Sequence, residues 1–114
     1  MFAEWKADGG VIWANDCDFW GQDITKTPTK NTKKEDCGKL CLDNPECDHF
    51  TWNNYGECWL KKWSGKGPTA ANSNEKNFRC GFIPSRATAD ARALGATVAG
   101  LVATAAQSQS YLKG

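Results

Sequence analysis

Short segments in the first three quarters of the chain alternate apolar and polar residues in the manner of β-strands. The tetrapeptide Asn53-Asn54-Tyr55-Gly56 separates two of these segments and is typical of a hairpin turn. Residues 64–77 are rich in Gly, Lys, Ser and Asn, which predicts a surface loop. The segments that we predict as strands are Val11–Ala14, Cys47–Trp52, Glu57–Trp63 and Phe78–Phe82.

One short helix is predicted between the first strand and the hairpin. Cys37, Leu40 and Cys41 recur at a spacing that places them on one helical face. We expect the helix to begin with a capping box, in which Thr32 caps the first turn and Glu35 reaches back to it. The sequence Asp43-Asn44-Pro45 should end it.

The composition changes after Pro84, where Ala, Gly, Thr, Val, Leu and Ser become dominant. A helix over about residues 88–109 is predicted, although Gly95 and Gly100 each weaken it by up to about 1 kcal/mol. Its apolar side would allow helices of neighbouring chains to associate. Packing back onto the same chain, or onto a membrane surface, is the alternative. The predicted self-association residues are Leu94, Val98, Leu101, Val102 and Ala105.

Charge and cysteine content narrow the class of protein. A net charge of +1 argues against a nucleic-acid partner, and no apolar run is long enough to span a membrane. Six Cys in 114 residues indicate a disulfide framework formed in an oxidising compartment, so we expect a secreted protein. The first five residues lack the basic and apolar regions of a signal peptide. We therefore expect either that an export signal has been removed or that the sequence is a fragment.

Geometry reduces the fifteen possible pairings of six Cys to one preferred set. The two helical Cys point off one face, so their partners should lie on the hairpin that this face covers. The last two Cys would then tie the first strand region to the last. The predicted disulfides are Cys41–Cys47, Cys37–Cys58 and Cys17–Cys80.

These residues resemble the PAN/Apple family. The resemblance rests on Cys37-x3-Cys41-x5-Cys47, on Phe50-Thr51-Trp52 and on Cys58-Trp59-Leu60-Lys61, preceded by a segment that begins at Cys17. It covers roughly residues 11–82 and implies a small sheet on one helix, with first–sixth, second–fifth and third–fourth cysteine pairing. It also implies a secreted or cell-surface module that binds proteins or carbohydrates and is not catalytic. The tail after Pro84 lies outside the family pattern.

The predicted fold is therefore α+β, with a small antiparallel sheet packed on one short helix and stapled by three disulfides. We place a disulfide-bonded domain at residues 1–84 and an apolar helical segment at residues 85–114. Trp13 and Trp52 are expected to fill the thin core.

Aromatic residues provide the candidate ligand-binding surface. Strand alternation turns Cys58 and Leu60 towards the helix and leaves Trp59 and its alternate neighbours on the opposite face. That face could stack on a sugar or anchor a protein, or it could be covered by the amino-terminal segment around Trp5. The candidate ligand-binding residues are Trp20, Tyr55, Trp59, Lys61 and Trp63.

Catalytic and metal chemistry receive little support from the sequence. His49 lacks any accompanying nucleophile motif. A single Cys-x3-Cys knuckle without a second argues against zinc binding by the cysteines. Asp16, Asp18 and Asp23 lack an ordered calcium-loop pattern. We expect no enzyme activity, no metal and no cofactor.

Two functional hypotheses follow. The first is a structural protein that associates with itself, as an oligomer or filament, through its carboxy-terminal helix and displays an adhesive surface. The second is a monomeric secreted module that binds glycans or extracellular proteins, with the tail packed on its own domain. Neither hypothesis involves nucleic acid or a membrane span.

Overall fold

The computed structural model describes residues 5–63 and 75–86. Five strands form one antiparallel sheet in the order β1-β2-β5-β3-β4, and one helix packs on it. A 3-10 turn at Pro84–Arg86 follows the last strand. The elements are β1 (Trp5–Asp8), β2 (Val11–Asn15), α1 (Lys34–Asp43), β3 (His49–Asn53), β4 (Glu57–Lys61) and β5 (Arg79–Phe82).

The α+β fold predicted from the sequence is confirmed, and the four predicted strands appear with bounds shifted by one or two residues. Strand β1 was not predicted. It pairs with β2 through a turn at Gly9 and Gly10, whose φ angles of 58° and 86° lie in the left-handed region. The predicted helix of residues 88–109 lies outside the described residues, as does most of the predicted loop.

Strand alternation divides the sheet into two apolar faces, each with its own core. The helical face carries Phe50 of β3, against which α1 packs. The opposite face carries Phe19, Trp63 and Phe82, partly covered by Trp5. The described chain therefore buries both sides of its sheet. The helical-face core consists of Val11, Cys37, Cys41, Cys47, Phe50, Cys58 and Ile83.

All three predicted disulfides are present: Cys17–Cys80, Cys37–Cys58 and Cys41–Cys47. The last two fix α1 to the β3–β4 half of the sheet, and the first joins the loop after β2 to β5 on the opposite face. A small domain with a thin core depends on such links for stability. The position of α1 is thus determined covalently.

The predicted capping box was wrong. Lys33 is the N-cap residue of α1 and its side chain makes no capping hydrogen bond. The Thr32 hydroxyl instead donates to the carbonyls of Thr29 (3.1 Å) and Lys30 (3.3 Å). Thr32 is held away from the helix because its backbone N–H donates to Gly56 at the hairpin.

The segment between β2 and α1 runs along the outer edge of β4. Ile24 N–H donates to Leu60 O at 2.9 Å, and Thr29 and Cys58 exchange two backbone hydrogen bonds. These bonds satisfy an edge that would otherwise present unpaired backbone groups. The β4 edge is therefore covered within the domain.

Candidate functional site

Lys61 and Trp63, predicted to be exposed for ligand binding, are buried. Their exposed fractions are 3% and 4%. Trp63 stacks on His49 with ring centroids 3.9 Å apart, and Phe19 meets it edge-on at 5.6 Å. Strand alternation correctly predicted that they lie on the face opposite the helix, but that face forms a second core and is not exposed to solvent. Trp5 packs against it, as the alternative interpretation held.

The Lys61 ammonium is held inside the fold by two oxygen acceptors. Its Nζ donates to Asp23 Oδ1 at 2.5 Å and to the carbonyl of Gly21 at 2.9 Å. A buried ammonium needs such partners because burial removes its hydration. The side chain therefore anchors the loop beside β4 rather than facing a ligand.

Trp20 and Tyr55 are highly exposed, with 84% and 81% of their surface accessible, whereas Trp59 is partly buried. Trp20 and Tyr55 lie at opposite ends of β4. Gln22, just after Trp20, accepts a backbone hydrogen bond from Lys62, whereas Tyr55 precedes β4 in the hairpin turn. Six residues of extended chain separate the two ends, or about 20 Å. The structure does not bring these aromatics together into one site.

His49 is a core residue and not an accessible base. It is 1% exposed, and its Nδ1 lies 2.6 Å from Asp48 Oδ1. Burial lowers the pKa of His49, and the neighbouring Asp48 carboxylate opposes that shift. The same carboxylate accepts the backbone N–H of Trp63 at 3.0 Å, so Asp48 ties β3 to the end of β4.

The six Cys are oxidised and therefore cannot supply thiolate ligands to zinc. Within residues 5–63 and 75–86, no group of three His, Cys, Asp or Glu is placed to hold a metal ion. The same residues contain no helix long and apolar enough to cross a membrane.

A cleft that the sequence did not reveal lies between α1 and the β1–β2 half of the sheet. Its volume is about 270 Å³. It exists because the disulfides hold α1 over β3 and β4, and a helix about 10 Å wide cannot cover a five-stranded sheet about 20 Å across. Gly38 allows α1 to approach the sheet closely beside the cleft, since a Cβ there would lie 3.2 Å from both Phe50 and Val11. The lining residues are Asp8, Gly9, Val11, Trp13, Lys34, Glu35, Gly38, Lys39, Leu42, Asp43, Phe50 and Arg79.

Arg79 and Trp13 form a stacked pair in this cleft. The Arg79 guanidinium lies 3.7 Å from the centroid of the Trp13 ring, and its Nε donates to Asn15 Oδ1 at 3.3 Å. Burial lowers the pKa of Arg79, and the negative charge of Glu35 opposes this shift. The guanidinium stays charged, because arginine is not deprotonated in proteins. Within the described part of the chain, Arg79 has no carboxylate in salt-bridge range. Its two terminal nitrogens are thus held in place with no anionic partner among residues 5–63 and 75–86.

Residues 17–61 match the family model of the PAN domain. This match is consistent with a PAN/Apple-type domain. The match confirms the resemblance based on the cysteine spacing. A search of the curated proteins finds no match to the chain.

PAN domains are small extracellular modules that bind other molecules and generally lack catalytic activity, and three disulfides agree with an extracellular location. The segment that matches the family model includes α1, β3 and β4 but neither β2 nor β5. Trp13 and Arg79 therefore lie outside the matched segment. The half of the cleft that they form is a feature of this chain which the family match does not describe.

Sequence reasoning missed the cleft because it assigned Trp13 to the core and gave Arg79 no role. One signal was available. Val11 and Trp13 are alternate residues of one strand and must share a face, and Arg79 begins the strand that ends at Phe82. With five strands and one ten-residue helix, part of that shared face has to remain open.

Proposed function

We propose that this chain is a secreted, non-catalytic recognition module that binds a glycan or an extracellular protein in the cleft between α1 and the β1–β2 hairpin. The observation that supports this is the stacked Arg79 guanidinium, which is preorganised over Trp13 and whose two terminal nitrogens have no hydrogen-bond partner among the described residues. Arginine in this state recognises carboxylate or phosphate groups well, because its planar fork loses little entropy on binding.

The apolar lining of the cleft adds a second contribution. Trp13 and Leu42 are its partly exposed apolar side chains, whereas Val11 and Phe50 beneath Gly38 are already buried in the core. A concave apolar surface with a few fixed polar groups is the common form of a ligand site. Binding would therefore combine burial of an apolar group with a charge-assisted hydrogen bond to Arg79.

The test is a binding screen of the disulfide-bonded full chain on glycan and peptide arrays. Arg79→Gln removes the charge and the fork, and Lys30→Gln is a matched control because Lys30 is exposed and does not line the cleft. We expect the strongest wild-type signals to fall at least fivefold for Arg79→Gln and less than twofold for Lys30→Gln. Equal signals from Arg79→Gln and wild type would refute the proposed site.

A second surface is favoured by the exposure of Trp20 and Tyr55. More than four-fifths of the surface of each side chain is accessible, and Trp and Tyr are enriched among the residues that dominate binding at protein interfaces. Trp20→Ala and Tyr55→Ala on the same arrays test this surface. Loss of signal for either variant, with Arg79→Gln unchanged, would assign recognition to these aromatics.

Self-association through the carboxy-terminal helix stays a proposal that rests on sequence periodicity. The five residues proposed to mediate it lie outside the described residues: Leu94, Val98, Leu101, Val102 and Ala105. Self-association would supply avidity to a weak binding site by presenting several copies. It is compatible with the cleft as the ligand site and does not depend on it.

A further inference from the structure

The cleft has a defined orientation along α1. Glu35, in the first turn of the helix, acts electrostatically on Arg79. Gly38, in the middle, faces Val11. At the other end, Leu42 Cδ1 would lie 3.9 Å from a Cβ added to Gly10 of the β1–β2 turn. The helix therefore runs from the Arg79 end of the cleft to the hairpin-turn end.

The two ends carry opposite charge. The Arg79 end also has Lys34, so its two positive charges exceed the single negative charge of Glu35. The hairpin-turn end has Asp8 and Asp43. The helix dipole has the same direction, positive at the amino terminus and negative at the carboxy terminus.

Two cations moderate this separation without abolishing it. Lys39 lies between the two ends, four residues from both Glu35 and Asp43, and can pair with either. Arg86 donates to the helix carbonyls of Cys41 and Leu42, and it does not line the cleft. Asp8 and Asp43 are both exposed at the rim and remain available to a ligand cation.

The distance between the ends suits a short extended peptide. Asp43 lies eight residues after Glu35 in the helix, a distance of about 12 Å at about 1.5 Å per residue. Four residues of extended peptide span about 13 Å, at about 3.3 Å per residue. Between the two ends, Val11 and Phe50 are buried beneath Gly38, and Leu42 is the partly exposed aliphatic side chain of the lining. A ligand of this length would place one charged group at each end and an aliphatic side chain between them.

Glycans fit this arrangement less well. A uniformly anionic polysaccharide would bring negative charge against Asp8 and Asp43 at one end. A neutral sugar would leave the Arg79 fork without an acceptor. Sugar stacking on Trp13 would also compete with the guanidinium that already lies 3.7 Å from the ring centroid. The charge pattern and the covered indole both favour a peptide.

We propose that the cleft binds an extended segment of an extracellular protein in which an acidic and a basic residue, four positions apart, flank an aliphatic residue. The acidic side chain pairs with Arg79, the aliphatic side chain packs against the partly exposed Leu42, and the basic side chain pairs with Asp43 and Asp8. This inference rests on the proposed function, because it names the ligand class of the same cleft.

The experiment is isothermal titration of the full disulfide-bonded chain with peptides that are acetylated and amidated. The probes are Glu-Ala-Leu-Ala-Lys, its reverse Lys-Ala-Leu-Ala-Glu, and the isomer Glu-Lys-Ala-Leu-Ala, whose charges are adjacent. We expect the better of the first two to bind at least tenfold more tightly than the isomer. Equal affinity of all three, or no binding by any, would overturn the proposal.

Variants at the two ends identify the contacts. Arg79→Gln should weaken the Glu-containing peptide at least fivefold and change the affinity of its Gln-for-Glu analogue less than twofold. Asp43→Asn should likewise weaken binding of the Lys-containing peptide at least fivefold and change the affinity of its Gln-for-Lys analogue less than twofold. Asp36→Asn, an exposed helical carboxylate outside the cleft, and Lys30→Gln are the matched controls. Equal losses in the controls would overturn the assignment.

Two outcomes separate this inference from the proposed function. An oligouronate that binds more tightly than the peptides, and does so through Arg79, would overturn the peptide class and retain the cleft as the ligand site. Self-association that Arg79→Gln abolishes in the absence of peptide would assign the cleft to a second copy of the chain and also overturn the peptide class. Peptide binding that does not respond to Arg79→Gln would refute both proposals.

Discussion

Gly81 is the position where an added methyl group should be most damaging. It lies in β5 beneath Phe50, and a Cβ there would be 2.5 Å from both Phe50 Cζ and the carbonyl oxygen of Ile12. Neither neighbour can move freely, because Phe50 is 1% exposed and the Ile12 carbonyl belongs to the adjacent strand. Replacing Gly81 with Ala must therefore displace the helical-face core or separate β2 from β5.

Overpacking of this kind costs about 1–3 kcal/mol. In a domain of this size each kcal/mol lowers the melting temperature by about 4–8 °C. We expect Gly81→Ala to melt about 8–16 °C below wild type, for a central cost of about 2 kcal/mol. The measurement is thermal unfolding followed by near-ultraviolet circular dichroism under non-reducing conditions, which keeps the disulfides intact.

Gly38→Ala is the matched control. Its Cβ would lie 3.2 Å from Phe50 and Val11, a milder contact, and the helix gains about 1 kcal/mol when Ala replaces Gly. We expect that variant to melt within a few degrees of wild type. In a Phe50→Leu background, Gly81→Ala should cost less, because two of its three closest contacts are to the Phe50 ring. A Gly81→Ala melting temperature within 2 °C of wild type would refute this reasoning.

Three further predictions concern other parts of the chain. Because burial holds the pKa of His49 below its ordinary 6.5, the unfolded state takes up a proton on this side chain before the folded state does. The free energy of unfolding should therefore fall as the pH decreases below about 6.5. Urea unfolding of His49→Phe at a series of pH values should lack this contribution to the pH dependence. Asp23→Ala leaves the Lys61 ammonium buried with one acceptor and should lower the free energy of unfolding in urea by about 2 kcal/mol, a value reduced for the solvent exposure of Asp23, whose side chain is 32% exposed. Lys61→Met removes the buried charge itself and should lower it by less than about 1 kcal/mol. A larger loss for Lys61→Met than for Asp23→Ala would contradict the buried-charge explanation. Leu101→Asp combined with Val102→Asp should reduce the mass measured by light scattering if the tail mediates self-association, and an unchanged mass would exclude that role.

Much of the fold was predictable because covalent and periodic signals agree. The spacing of Cys37 and Cys41 put both on one helical face, and the next two Cys lie on the segment that this face covers. Once those pairs are assigned, Cys17 and Cys80 have only each other. Each structural disulfide then limits where an adjacent strand can lie, so moderate errors in strand bounds leave the architecture unchanged.

Strand β1 was missed because it has only two apolar residues, Trp5 and Ala7, at alternate positions. The turn that follows it was a usable signal. Gly9-Gly10 separates two short segments by two residues, and both glycines adopt the positive φ that a tight hairpin requires. Pairing β1 with β2 would have shown that the sheet is wider than one helix can cover.

The candidate site could not be predicted in the same way. Alternation alone determines which face of β4 a side chain occupies, and it cannot show whether that face meets solvent or a second core. Lys61 is polar and would ordinarily be exposed, yet the loop residue Asp23, 38 positions earlier, provides a carboxylate for it. The Arg79–Trp13 stack likewise depends on pairing between β2 and β5, which are far apart in sequence.

The Cys17–Cys80 bridge also determines how the domain responds to tension. A force applied to the chain beyond Arg86 is first resisted by the hydrogen bonds of that residue to four carbonyls around the end of α1. If these break, the six residues from Gly81 to Arg86 extend by at most about 20 Å before the load reaches a covalent bond. The sixty-two residues between the bridged cysteines then bear no stretch along the contour. A module attached through its carboxy-terminal segment would thus keep α1 and the β3–β4 hairpin folded under loads that unravel the end of β5 after Cys80.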